Sequence, residues 1–173
     1  NHVGAYALES LSENLAITNN EITDAGAGGI KIGTVQSTYW SLNSYDNHRI
    51  IDNRIHDNNK VSPEGIGIWV IMSNNNTISH NKIYNMSYTG ISLGWTWGDN
   101  PISKNNIIEY NHIFNVMQIL NDGGGIYLNG NMPGTIVRKN LFKDIKPTPL
   151  HISDFAFFSL YFETGNAGIN AYD

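Results

Sequence analysis

Apolar and polar residues recur along this chain in a fixed short pattern. An apolar residue, two variable residues, an asparagine, one variable residue and a second apolar residue form a unit that occurs five times. The anchor asparagines are Asn20, Asn53, Asn81, Asn111 and Asn140. They are separated by 33, 28, 30 and 29 residues, a period at which repeat architectures should be considered first.

Each unit is followed by a second segment in which isoleucine or leucine alternates with other residues. These segments are GIKIG at Gly29, GIGIWV at Gly65, GISLG at Gly90, GIYLNG at Gly125 and a degenerate SLYFETG at Ser159. Alternation over four or five residues predicts short strands, and the chain has no helical periodicity of useful length. Three short strands per repeat predict an all-β fold, a right-handed parallel β-helix of about six coils.

The chain contains 25 asparagines, a residue that favours turns over helices and ordinary strands. In a β-helix, equivalent residues of successive coils stack at about 4.8 Å, so their amides can bond to one another and to the turn backbone. We therefore interpret the anchor asparagines as a structural ladder with neighbours about 5 Å apart. The stacked isoleucines form the core.

Length and composition favour one β-helix domain over residues 1–173, open at both ends. Residues 1–8 read as the last strand of an earlier coil, and the final INAYD opens another coil. A β-helix exposes its core and its strand edges at uncapped ends. We therefore expect the chain to be part of a longer parent chain.

Charge and composition exclude several classes of function. A net charge of −5 with only 14% charged residues argues against binding to nucleic acid, which needs a basic face. The chain shows no apolar run of membrane-spanning length and no signal peptide, and it lacks cysteine. Three histidines, His56, His80 and His112, flank ladder positions without a paired-ligand spacing. We predict no metal and no cofactor.

Strand alternation also predicts which side chains point outward from the alternating segments. If Ile126 and Leu128 point inward, Tyr127 points outward. The outward row then contains, in chain order, Lys31, Trp69, Ser92, Tyr127 and Tyr161. The next outward row contains Gly33, Ile71, Gly94, Asn129 and Glu163.

This outer face has the composition of a carbohydrate-binding surface. Flat aromatic rings stack on the C–H face of a sugar, and neighbouring polar groups pair with its hydroxyls. A WTWGD insertion after Gly94 adds Trp95 and Trp97, one of which should overhang the end of the face. The predicted substrate-binding residues are Trp69, Trp95, Trp97, Tyr127, Asn129 and Tyr161, and a neutral glycan is favoured.

A second insertion, ILNDGGG, places an acid before three glycines. Glycoside hydrolysis typically needs two carboxyl groups. Asp122 and Glu163 are the predicted pair, with Asp99 and Asp154 in reserve, and the alternative for each is a turn-capping acid. Convergence of the pair to about 5 to 10 Å requires the glycines at 123–125 to turn the chain back over the sheet.

The segments GISLGWTWG, NIIEYNHI, LNDGGGIYLNG and YFETGNAG resemble the central coils of bacterial right-handed β-helix proteins related to glycoside hydrolases. That group includes β-helical β-xylosidases and α-L-fucosidases. The group usually reads closer to Asp-Glu-Gly where this chain has YFETG, so Phe162 and Thr164 depart from its pattern. The resemblance implies hydrolysis of carbohydrate in an extracellular or periplasmic setting.

Two other classes of function remain open. A polysaccharide lyase or epimerase on the same fold would need cations or Ca²⁺ to neutralise uronate carboxylates, together with a base. The outer face offers only Lys31 for that purpose. A non-catalytic glycan-binding module would keep the aromatic row and need no pair of acids.

Overall fold

The structure of the chain is a computed structural model, and it describes residues 4–35, 45–97, 99, 101–146, 157–163 and 165–173. Within these residues the chain forms seventeen strands and no helix. The strands are β1 Leu8–Ser10, β2 Ala16–Thr18, β3 Glu21–Ile22, β4 Ile30–Ile32, β5 Arg49–Ile51, β6 Arg54–His56, β7 Ile68–Ile71, β8 Thr77–Ser79, β9 Lys82–Tyr84, β10 Ile91–Gly94, β11 Ile107–Glu109, β12 His112–Phe114, β13 Gly124–Asn129, β14 Asn131–Arg138, β15 Leu141–Lys143, β16 Phe158–Phe162 and β17 Ala167–Tyr172.

Every third strand joins the same sheet, so the chain winds through three parallel sheets. Sheet A has the order β1-β4-β7-β10-β13-β16, sheet B contains β2, β5, β8, β11, β14 and β17, and sheet C contains β3, β6, β9, β12 and β15. All pairings between strands are parallel. The predicted all-β parallel β-helix is confirmed.

The core runs along the axis of the coils and consists mainly of stacked isoleucines. Ile50, Ile78 and Ile108 of sheet B are paired across neighbouring strands and are fully buried. Sheets A and C contribute equivalent rows to the same cluster. At the last strand of sheet A one inward position is no longer buried, because Phe162 pairs with the buried Leu128 but is 43% exposed.

The predicted asparagine ladder is present. Asn53 donates from its backbone N–H and its Nδ2 to Asn81 Oδ1, both at 3.0 Å. Asn81 makes the same two bonds to Asn111 Oδ1, at 2.9 and 3.0 Å. Asn20 and Asn140 continue the ladder at its two ends. These side chains satisfy turn backbone groups inside the coil, where water cannot do so.

A second ladder, which the sequence analysis did not identify, lies at the turn before sheet B. The backbone N–H of His48 donates to Asn76 Oδ1 at 2.9 Å, and that of Asn76 donates to Asn106 Oδ1 at 3.0 Å. His48 Nδ1 accepts from the Leu15 N–H at 3.2 Å. Because histidine takes the place of asparagine in the first of these coils, the asparagine pattern alone does not predict this second ladder.

One strand boundary and the surroundings of one outward position differ from the predicted ones. The first strand is β1, Leu8–Ser10, whereas the sequence placed a strand over residues 1–8, of which 1–3 lie outside the described residues. Ile71, predicted on an outward row, is fully buried although it is not part of the central core cluster. The outer side of sheet A is therefore covered in the central coils. No helix in the described parts of the chain is long and apolar enough to cross a membrane.

Candidate functional site

The predicted aromatic row lies on the outer side of sheet A. Tyr127 pairs in register with Ser92 and Tyr161, and Ser92 pairs with Trp69. The rings of Tyr127 and Tyr161 stack with centroids 5.2 Å apart and an interplanar angle of 17°. The inward residues beside Tyr127, Ile126 and Leu128, are fully buried in the core.

Tyr127 is only 4% exposed although it points away from the coil axis. The covering ring is Trp95, which packs edge-on against Tyr127 with centroids 6.0 Å apart. Trp95 also contacts Trp69 at 4.9 Å and Trp97 at 5.0 Å. The WTWGD insertion was predicted to overhang one end of the row, but Trp95 instead covers its middle, between Trp69 and Tyr127.

The backbone turn that brings Trp95 over the sheet begins at Gly94. Gly94 has φ +100°, and a Cβ there would lie 1.9 Å from the carbonyl oxygen of Asn129. Only glycine fits both the conformation and the space. Trp95 then donates from Nε1 to Ser92 Oγ at 2.9 Å, which fixes the indole against the sheet. The Trp97 side chain is half exposed, and the backbone N–H of Trp97 donates to Asn129 Oδ1 at 3.1 Å.

Asp122 reaches this face by a different turn from the predicted one. None of the three glycines after it has a positive φ, whereas Asp122 itself has φ +57°. Gly124 already belongs to β13, where a Cβ would lie 2.7 Å from the Phe158 carbonyl oxygen. The prediction that the glycines turn the chain back is therefore wrong. They allow close approach of neighbouring chain segments, and the aspartate makes the turn.

Glu163 is held by the preceding coil. Its N–H donates to the Leu128 carbonyl at 3.0 Å, which continues the pairing of β16 with β13. Its Oε2 accepts hydrogen bonds from the Tyr127 hydroxyl and from Asn129 Nδ2, the latter at 2.7 Å. Asn129 therefore binds Glu163 with its amide nitrogen and the Trp97 N–H with its amide oxygen.

Asp122 and Glu163 approach the same group of tyrosines. The Tyr161 hydroxyl is 3.5 Å from Asp122 Oδ1, and the ring of Tyr161 stacks on Tyr127, which binds Glu163. A further tyrosine, Tyr88, donates its hydroxyl to the backbone oxygen of Asp122 at 2.6 Å. The structure thus brings the two predicted acids to one tyrosine cluster, defined here as Tyr88, Tyr127 and Tyr161.

The tyrosine cluster is held in its neutral form. Burial raises the pKa of Tyr88 to about 12, and the charge of Asp122 adds to this effect. Burial also raises the pKa of Tyr127, and its hydrogen bond to Glu163 contributes in the same direction. The pKa of Tyr161 is raised by burial and by the charges of both carboxylates. Near neutral pH these three hydroxyls are proton donors.

An apolar cavity of about 500 Å³ adjoins the tyrosine cluster. Tyr88 and Trp95 form part of its wall, together with Tyr6 and Trp69. Trp69 is half-buried, and the Lys31 ammonium lies 5.5 Å from its ring. Neither Tyr6 nor Tyr88 was predicted as a site residue. Tyr88 precedes its strand by three residues, so strand alternation gave no indication of its direction.

Of the two reserve acids, only Asp99 lies among the described residues. Asp99 is exposed, and its backbone oxygen accepts from Asn131 Nδ2 at 2.9 Å. Asp154 lies outside the described residues. No cluster of three or more histidine, cysteine, aspartate or glutamate residues that could hold a metal ion occurs in the described part of the chain. His56 instead stacks on Tyr84 and contacts two carboxylates, those of Glu21 and Asp57.

Comparison with known proteins places this architecture in a family. A family model described as the right-handed β-helix region matches residues 1–172. The chain belongs to the right-handed β-helix family. A search of curated protein sequences gives no match for this β-helix protein.

The same β-helix recurs in a solved structure named "Glycoside hydrolase". The two chains superpose with a TM-score of 0.71 over 96% of this chain at 16% sequence identity, a likeness that shows the fold. This β-helix chain spans 34%, about one third, of the length of that protein.

Proposed function

We propose that the chain is a carbohydrate-active β-helix that hydrolyses a glycosidic bond with Asp122 and Glu163. The observation that carries this proposal is the approach of two carboxylates from neighbouring coils to one cluster of neutral tyrosines. Two carboxyl groups on one face are what this reaction needs. The neighbouring solved structure named "Glycoside hydrolase" supports the same class of reaction.

The two acids have different surroundings, which suggests different roles. Tyr127 and Asn129 both donate to one oxygen of Glu163, so this carboxylate is oriented as a hydrogen-bond acceptor. We assign to it the role of nucleophile, or of base for an attacking water. Asp122 is exposed, with the Tyr161 hydroxyl at 3.5 Å, and it protonates the leaving oxygen.

The substrate contacts follow from the aromatic face. Trp97 is half exposed and offers its ring to a sugar. Trp95 packs on Tyr127, and the ring of Tyr127 stacks on that of Tyr161. We keep Trp69, Trp95, Tyr127, Asn129 and Tyr161 as further substrate-binding residues of this face. We favour a neutral glycan, because Lys31 is paired with Glu9 at 2.5 Å. The motif resemblance favours the group of β-helical β-xylosidases and α-L-fucosidases, and an extracellular or periplasmic setting in which polysaccharide is degraded.

A lyase or epimerase mechanism fits the site less well. β-Elimination needs a base to remove a proton from carbon and a cation to neutralise the uronate. The raised pKa values of Tyr88, Tyr127 and Tyr161 make these hydroxyls poor bases near neutral pH. Lys31 is engaged with Glu9 at the far end of the row.

The test begins with a panel of neutral oligosaccharides, with release of reducing sugar as the readout. Asp122→Asn and Glu163→Gln are each expected to lower kcat by at least about 100-fold on the natural linkage. With the glycosyl fluoride of the released sugar, which needs no protonation of its leaving group, Asp122→Asn should recover the step that releases fluoride. Glu163→Gln should not recover.

Asp99→Asn is the matched control, because Asp99 is an exposed acid of the WTWGD insertion whose backbone oxygen bonds to Asn131, which is not part of the tyrosine cluster. It should leave kcat within about twofold. Equal recovery of the Asp122 and Glu163 variants on the fluoride would show that the roles are assigned wrongly. Glycan binding with no turnover by the unaltered chain would favour the non-catalytic module instead.

A further inference from the structure

The outer side of sheet C carries a row of nitrogen-bearing side chains that the proposed hydrolysis does not use. Strand pairing aligns Arg54, Lys82 and His112 in register across three successive coils. Neighbouring strands lie about 4.8 Å apart, so the row follows the coil axis at that interval. Like charges directly opposite each other, as on Arg54 and Lys82, destabilise a pair of strands. A row that keeps them in register therefore indicates a role other than folding.

A stack of rings lies beside this row. His56, Tyr84 and Phe114 are in register, with centroids 4.6 and 4.8 Å apart and an interplanar angle of 5° in both pairs. The Lys82 ammonium lies 5.6 Å from the ring centroids of both Tyr84 and Phe114, and His112 packs against Phe114 at 4.6 Å. The stacked faces cover one another, so the stack presents mainly ring edges, which carry partial positive charge.

The carboxylates of this side of the molecule belong mainly to the first two coils. Five acids lie on sheet C or within two residues of its strands: Glu21, Asp24, Asp52, Asp57 and Asp144. Glu21 contacts Arg54 at 3.4 Å and His56 at 3.2 Å, and Asp57 contacts His56 at 2.6 Å. Only Asp144 belongs to a later coil. The negative charge is therefore concentrated around Arg54 and His56, away from the later coils.

The later coils of sheet C present cationic groups without an acid partner. Lys82 and Lys143 are exposed, and no carboxylate in the described part of the chain forms an ion pair with either. Burial lowers the pKa of His112, and the charges of Lys82 and Lys143 lower it further, so both ammonium groups act on the same ring. An anionic group between the two lysines would be attracted by both.

The composition of this surface favours one kind of anion. Single-stranded nucleic acid needs free ring faces on which its bases stack, whereas these faces cover one another. Binding to an anionic membrane takes clusters of about four to eight lysines or arginines, whereas the strands of sheet C carry Arg54, Lys82 and Lys143. An acidic polysaccharide is a linear chain that carries its charges at regular intervals, as the row does. Leu141, 60% exposed and in register with His112, adds apolar surface for sugar C–H groups.

We propose that the outer face of sheet C, from Lys82 to Lys143, binds an acidic polysaccharide whose carboxylates lie at Lys82, His112 and Lys143. This surface is separate from the two acids, because Asp122 and Glu163 flank strands of sheet A. It holds the protein on a charged glycan while sheet A acts on a neutral linkage. The identification of the anion as a glycan rests on the proposed function, whereas anion binding at these residues does not.

The experiment measures binding of hexagalacturonate by isothermal titration calorimetry at low ionic strength, where exposed charges are least screened. The unaltered chain should bind this probe with a Kd in the millimolar range or tighter. It should bind the fully methyl-esterified hexamer, which has the same chain without the charges, at least about fivefold more weakly. Sodium chloride at about 1 M, where the Debye length is about 3 Å, should remove most of the binding.

Two lysine variants test the residues themselves. Lys82→Gln and Lys143→Gln each remove one charge from an exposed side chain and should each weaken binding about two- to fivefold. Lys104→Gln is the matched control, because it makes the same change at an exposed lysine between sheets A and B, and it should change the Kd by less than about 1.5-fold. All three variants should keep the circular dichroism spectrum and the kcat on neutral oligosaccharides.

A further variant separates this surface from the hydrolysis. The double variant Asp122→Asn with Glu163→Gln should bind hexagalacturonate as the unaltered chain does. Binding of hexagalacturonate without hydrolysis of any oligosaccharide supports this surface and overturns the proposed function alone. Hydrolysis without binding of hexagalacturonate overturns the surface alone.

Three other results would overturn the inference. Equal binding of the methyl-esterified hexamer would show that the charges are not recognised. Equal loss of affinity in the Lys82 and Lys104 variants would show that the probe binds elsewhere. Tighter binding of hexathymidylate or of phosphatidylserine vesicles at the same ionic strength would show that the partner is a nucleic acid or a membrane.

Discussion

Asn81→Ala is the sharpest test of how the coils are held together. Asn81 is 1% exposed. Its Oδ1 accepts from the N–H and the Nδ2 of Asn53, both at 3.0 Å. Its Nδ2 donates to the Ile50 carbonyl at 2.8 Å and to Asn111 Oδ1 at 3.0 Å. The substitution removes all four bonds at once.

The expected cost follows from what each partner retains. The Asn53 N–H is left buried without its acceptor, which costs about 1 to 3 kcal/mol, and three further bonds are lost at about 0.5 to 1 kcal/mol each. The Asn53 amide nitrogen keeps the Ile17 carbonyl at 2.8 Å, so it is not stranded. We expect the free energy of unfolding to fall by about 3 to 5 kcal/mol, a large share of the about 5 to 15 kcal/mol of a typical domain.

Asn20→Ala is the control at the exposed end of the same ladder. Its Nδ2 bonds to Asn53 Oδ1 and the Thr18 carbonyl are open to water, so the expected loss is below about 1 kcal/mol. Urea denaturation followed by circular dichroism compares the two variants at unchanged m-value. If coils unfold separately, exchange of the Asn53 amide gives the same comparison locally. A difference below about 1 kcal/mol between the variants would refute the reasoning.

Three further predictions concern pH and backbone space. Burial raises the pKa of Tyr88 in the folded chain to about 12, so its contribution to stability is complete below pH 10 and is lost as pH rises through 12. In Tyr88→Phe the urea midpoint should no longer fall because of this group over that interval. Burial lowers the pKa of His48 in the folded chain, although the hydrogen bond to the Tyr45 carbonyl opposes this. Neutral His48 therefore stabilises the fold above the ordinary histidine pKa, and this stabilisation is lost as pH falls through the pKa of the folded chain. His48→Asn, which places the residue of the later coils in that ladder, should remove this acid sensitivity in thermal melts at pH 4 to 7. Gly94→Ala should cost more than about 2 kcal/mol, because its Cβ meets the Asn129 oxygen, whereas Gly4→Ala, with nothing within 4 Å, should cost under about 0.5 kcal/mol; equal urea midpoints for these two variants would contradict the steric argument.

The fold could be predicted from the sequence because every coil repeats the same local rule. Asn53, Asn81 and Asn111 recur with isoleucines at fixed offsets, and each coil contacts mainly its neighbours. A pattern that is self-consistent over five copies therefore determines the sheets, the inward rows and the ladder. The outward direction of Tyr127 followed from strand alternation alone, which has a period of two.

The site depended on contacts between segments that no local rule relates. The turn at Asp122 was assigned to the glycines after it, because glycine most readily adopts a positive φ. In the folded chain a Cβ at Gly125 would lie 2.7 Å from the Phe142 ring, and one at Gly123 would lie 2.5 Å from Thr89 Oγ1. Glycine is therefore required at these positions because side chains of neighbouring coils leave no room for a Cβ, and those contacts cannot be inferred from the local sequence.

The outward direction of Tyr127 follows from the sequence, whereas its burial depends on the tertiary structure. The sequence by itself determined that Tyr127, Glu163 and Trp69 share an outer face. Only the tertiary structure decided that Trp95 folds over that face and that Tyr88 joins Asp122. An insertion has no repeated partner to constrain it, so its path is set by which side chains it can bury and pair, and those come from coils about 30 residues away.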